Sequence, residues 1–77
     1  MDRAIDPEEE ATVRDIISSH ADGALEVHDL KTRLAGRAIF IEFHMVVPET
    51  MTVGIAHEIC DRIEDALQVA FDGARVS

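Results

Sequence analysis

The chain has 77 residues, a single cysteine and a formal net charge of −9, with 47% hydrophobic residues. That length holds one small domain near the lower limit for a self-sufficient core, and one cysteine excludes an internal disulfide, so a metal or a partner subunit is the expected support. The acidic surface disfavours nucleic acid and anionic lipid as partners, the apolar content excludes compositional disorder, and no apolar run is long enough to span a bilayer.

In chain order, residues 1–6 read as a leader or linker. Asp6-Pro7-Glu8-Glu9-Glu10 is a helix start. Asp6 can cap, Pro7 suits the first helical position, and the glutamates favour the positive end of the helix dipole. Val13, Ile16 and Ile17 predict an apolar stripe on a helix from Pro7 to about His20, ended before Asp22-Gly23. Two strands follow, Leu25 to Arg33 and Arg37 to Val47, with a hairpin turn expected at Ala35-Gly36. The second strand is the more apolar and suits the sheet centre; Asp29, Lys31 and Arg33 suit the first to an exposed edge.

Pro48 closes the second strand, and Thr50 or Thr52 can cap a long helix running to about Phe71. Its expected apolar stripe is Val53, Ala56, Ile59, Cys60, Ile63, Leu67 and Ala70. Asp72-Gly73 stops it, and Ala74 to Ser77 begins a third strand that is cut short. The order predicts an α+β sandwich, with helices on one face of a small sheet and the last strand parallel to the second. Ile39, Ile41, Phe43 and Met45 should share the helix-covered face, leaving Leu30, Phe40 and Val46 beside the histidines on the other. Such an apolar patch favours a two-fold homodimer.

The four histidines are His20, His28, His44 and His57. A turn centred on Gly36 sets His28 opposite His44, Leu30 opposite Glu42 and Thr32 opposite Phe40. Opposed side chains on one face have Cβ atoms roughly 4.5–5.5 Å apart, close enough for two imidazoles to share one ion. A pair of histidines on a half-exposed sheet is more often merely polar surface, and two ligands are fewer than a zinc site needs. His57 could supply a third; its helical neighbours Asp61 and Glu64 put it on the polar side. His20 is expected to cap the end of the first helix. Cys60 lies three residues after His57 and could reach the same ion, although the apolar stripe argues for a buried structural thiol. No nucleophilic triad or glycine-rich phosphate loop stands out, so no enzyme is expected.

The segment His28-Asp29-Leu30-Lys31-Thr32-Arg33, then Gly36, then the apolar strand ending in Glu42-Phe43-His44, resembles the C-terminal cytoplasmic domain of the cation diffusion facilitators. The helix opening with Ala56-His57 extends the resemblance over nearly the whole chain, and Met1-Asp2-Arg3-Ala4 resembles the family's segment leaving its last membrane helix. The resemblance implies a metallochaperone-like, ferredoxin-related α-β-β-α-β fold with its last strand truncated, residues 1–6 as linker and 7–77 as the regulatory domain. It implies a homodimer attached to a membrane domain, zinc or another divalent transition metal as ligand, and His28, His44 and His57 as metal ligands. Metal binding would close the dimer and regulate efflux; a structural dimerisation module without a functional metal site is the alternative. The family often adds a His and an Asp after the third strand. The residues to Ser77 stop short of these, so water, Asp29, Glu42 or a partner subunit is expected to complete the site.

Overall fold

The computed structural model describes residues 3–77, and Met1 and Asp2 of the expected linker lie outside the described residues. Helix α1 spans Pro7–His20. Its start follows the sequence logic: the Asp6 carboxylate accepts the Glu8 N–H at 2.9 Å, and Pro7 occupies the first turn, where no donor is required. Val13 and Ile17 bury on the inner face. The far end is tied down by α2 (Val53–Ala70), whose Arg62 donates from Nε to the His20 carbonyl at 2.9 Å and from Nη2 to the Asp22 carbonyl at 2.7 Å. His20 places Nδ1 2.8 Å from the Ile16 carbonyl, one turn back at the same helix end. Gly23 follows at φ +99°, where an added Cβ would come within 3.0 Å of Ile59 Cδ1. Both the backbone angle and the close approach of α2 require glycine there.

Strands β1 (Glu26–Ala35) and β2 (Ala38–Val46) pair antiparallel, and β3 (Arg75–Val76) pairs parallel to β2 at Phe40 and Ile41. The sheet order is β1-β2-β3 and the chain order α-β-β-α-β, an α+β fold with a short last strand. Ile41 is buried at the sheet centre; Ile39, Phe43 and Met45 pack beside it against Val13, Ile17, Ile59, Ile63 and Leu67 of the helices. His44 alternates with these residues and faces away from the helices, as expected.

Some details depart from the sequence reading. The hairpin turns on Gly36 and Arg37, between paired Ala35 and Ala38, rather than on Ala35-Gly36. Lys31 therefore faces Glu42 and Arg33 faces Phe40, in place of Leu30 and Thr32. Leu30 packs toward the core, not onto the open face, because the displaced turn puts it in phase with Leu34 on the helix-covered side. Val53 is 87% exposed: it is the first residue of α2, six positions ahead of Ile59, where the buried stripe begins. Of the two candidate caps, Thr52 is the one used, accepting the Ile55 N–H. Residues ahead of α1 are part of the packed body. Ile5 is buried, and Arg3 exchanges backbone hydrogen bonds with Leu34 on the outer edge of β1.

Candidate metal centre

The centre forms where β1 departs from regular pairing. Near the turn, the register set by Gly36-Arg37 carried on unchanged would turn His28 toward the helices. Between His28 and Lys31 the register shifts, so that Asp29 and Leu30 together oppose Phe43. This bulge restores His28 to the open face directly opposite His44. Asp29 takes φ +55°, the one non-glycine residue with positive φ among those described.

Three side chains meet on the open face. The His28 and His44 rings stand edge to face, centroids 5.6 Å apart and planes at 89°. Asp29 Oδ2 lies 3.1 Å from Nδ1 of His28 and 3.1 Å from Nδ1 of His44. Potential ligand atoms of all three lie within 4.8 Å of one another, and no other group of three such residues occurs among those described. The site is shallow: His28, Asp29 and His44 are 40%, 58% and 63% exposed. The hydrogen bond from His28, its charge, and to a lesser degree the charge and hydrogen bond of His44 hold the Asp29 carboxyl below its ordinary value.

His57 is elsewhere. It lies in α2, on the helix layer, 74% exposed, with Nε2 3.5 Å from Asp61 Oδ2. The sheet separates it from His28 and His44 of the same chain. Cys60, half-buried on α2, and Glu42, opposite Lys31, also stand outside the three-residue group. Asp29 was only one of several candidates to complete the site. The parity of the apolar residues carries the missing signal: Val27 is odd-numbered, Leu30 and Leu34 are even, and all three pack on the core. A strand can do that only with an extra residue between Val27 and Leu30.

Two imidazoles and a carboxylate on a half-exposed surface, with room for further ligands, are suited to a divalent cation. Among the described residues no helix is long and apolar enough to cross a membrane. Residues 5–77 match the family described as "Cation efflux protein, cytoplasmic domain". The chain is 36% identical over 76 residues to the cation-efflux pump FieF of Yersinia pestis, covering 99% of this chain but 25% of that protein's length. A solved structure of CzrB in its Zn form is 46% identical, covers 100% of this chain and 88% of its own, and superposes with a TM-score of 0.86. A zinc form of a singly substituted variant of the MamM C-terminal domain is 25% identical, with a TM-score of 0.65 and coverage of 91% and 84%; manganese and nickel forms of singly substituted variants of that domain are also similar. The fold, the paired histidines of the hairpin and these relatives lead to one conclusion: the chain belongs to the cation diffusion facilitator family, as the cytoplasmic domain of a cation efflux protein.

Proposed function

We propose that this domain senses a divalent cation, zinc in the first instance, and couples its binding to closure of a homodimer that regulates efflux by an attached membrane domain. The observation that carries the reading is the direct opposition of His28 and His44 on the sheet face that the helices leave uncovered. Zinc takes tetrahedral sites of imidazole and carboxylate ligands, and the neighbour CzrB was solved in a Zn form.

His28 and His44 are the ligands from one protomer. His57 is the ligand offered by the other, because within one chain it lies behind the sheet. An ion shared in this way binds more tightly when two protomers approach, and that difference in affinity drives closure. It also offsets the repulsion between two bodies each carrying −9. Residues ahead of Pro7 would pass the change to the membrane helices; Arg3, bonded to the edge of β1, ties that path to the same strand as His28.

The test is a thermal melt with and without zinc. Zinc at a hundredfold excess over Kd raises stability by about 2.7 kcal/mol if it binds only the folded state. His28→Ala and His44→Ala should each abolish most of that rise while leaving the apo domain folded, since neither residue is in the core. His20→Ala should leave it intact. An unchanged zinc response in both His28→Ala and His44→Ala would refute the assignment. No response in the parent would favour a purely structural dimerisation module.

A further inference from the structure

Deepening the metal-sensing reading, on which it rests, we infer that Asp29 is a direct ligand of the ion, delivered by the β1 bulge and bound together with Nδ1 of His28 and Nδ1 of His44.

The distances support a shared ion. With metal–ligand bonds of about 2.05 Å, neighbouring donors in a tetrahedral shell stand about 3.3 Å apart, and in an octahedral shell about 2.9 Å. Asp29 Oδ2 is 3.1 Å from each imidazole nitrogen, so these two edges of a coordination polyhedron are already formed. Little movement is needed for an ion to replace the proton now lying between each nitrogen and the oxygen. That is preorganisation, and it spares the ordering cost of gathering three side chains.

The backbone supports it independently. At a bulge whose first residue is left-handed, glycine is the residue that fits without strain. Asp29 holds φ +55° instead. A non-glycine residue there costs stability, and such outliers persist where the side chain is needed. Aspartate is among the few side chains that tolerate this region, and here its carboxylate falls between the two imidazoles.

Counting faces shows that an extra residue in β1 is not needed to bring the histidines together. Leu30 packs inward, and His28 faces out, so Asp29 is the extra residue. Were it deleted, Leu30 would follow His28 in ordinary alternation and His28 would still oppose His44. What the inserted residue adds to the open face is the carboxylate. The resulting donor set, two nitrogens and one hard oxygen with open positions, suits Mn, Fe(II), Co, Ni or Zn over soft Cu(I).

The experiment uses the 77-residue chain with zinc as probe. Calorimetric titration compares the parent with Asp29→Asn, with deletion of Asp29, and with His28→Ala and His44→Ala. Long-range 1H–15N correlation of the zinc-bound parent identifies the coordinated ring nitrogens. The expected result is Nδ1 coordination at both histidines, with zinc affinity at least about tenfold weaker in Asp29→Asn and in the deletion. Circular dichroism should show both variants folded; the deletion serves if Asp29→Asn does not fold. Zinc on Nε2, with Nδ1–H still bonded to the carboxylate, overturns the inference and makes Asp29 a positioning residue. Parental affinity in both Asp29 variants, with binding lost in His28→Ala and His44→Ala, overturns it too and leaves the histidine site standing. Parental affinity in the two histidine variants overturns the site itself.

Discussion

Asp29 shows how far one side chain's neighbours set its chemistry. Its carboxyl is held below the ordinary value of 3.8 first by the hydrogen bond from His28 and next by the His28 charge; burial opposes this, and the charge and hydrogen bond of His44 add lesser contributions. Because the folded value is depressed, the ionised carboxylate contributes stability above the ordinary value, and that contribution is lost as pH falls through the depressed one. The group is more than half exposed, so the gain is screened and small. Carbon-13 titration of the metal-free domain should place the Asp29 carboxyl midpoint below 3.8. His28→Ala should move it back up, and further than His44→Ala does, following the order of the causes. Equal displacement by the two variants would show that the asymmetry between the histidines is absent in solution.

At the scale of elements, the helices were the most legible. α1 begins with Asp6, Pro7 and three glutamates, signals that act within one turn and depend on nothing distant, and the helix runs over the expected residues. The hairpin was legible only in part. Its His28–His44 pairing came out as expected although the pairs Lys31–Glu42 and Arg33–Phe40 did not, because the turn and the bulge displace the register in opposite senses. A turn type depends on a φ that only Gly36 hints at, and a bulge is visible only as the change of parity between Val27 and Leu30. The placement of His57 behind the sheet was not legible at all, since sequence spacing fixes its helix face but not what that face meets. Contacts between elements were likewise hidden. Arg62 of α2 closes the end of α1 through two carbonyls that would otherwise look to water. Arg62→Met keeps most of the aliphatic stem and removes both bonds. It should lower stability by about 1 kcal/mol in urea denaturation, the modest figure reflecting exposure. Zinc affinity should stay at the parental value, because the centre lies across the sheet; a coincident loss of binding would mean that the helix junction and the metal face are coupled.

For the molecule as a whole, charge and surface pull in opposite directions. The face left open by the helices carries His28, His44, the half-buried Phe40 under the Arg33 guanidinium, and Val46. A partner on a standard interface would cover about 800 Å², a modest share of the 5323 Å² this chain exposes. Two protomers at −9 each repel, however, and at low salt that repulsion reaches across the whole interface. The metal-free dimer should therefore tighten as salt is raised, opposite to an interface made by attraction between unlike charges. A cation held by His28, Asp29 and His44 of one protomer and His57 of the other places positive charge between the two acidic protomers. Zinc should then tighten the dimer and flatten its salt dependence. Sedimentation equilibrium across a salt series, with and without zinc, measures both effects. His57→Ala separates binding from closure: it should still take up zinc at the sheet site of each chain, yet lose the zinc-dependent tightening. Monomer at high micromolar concentration under every condition would exclude the homodimer. Zinc-dependent tightening retained in His57→Ala would exclude the shared ion and leave charge neutralisation alone to drive association.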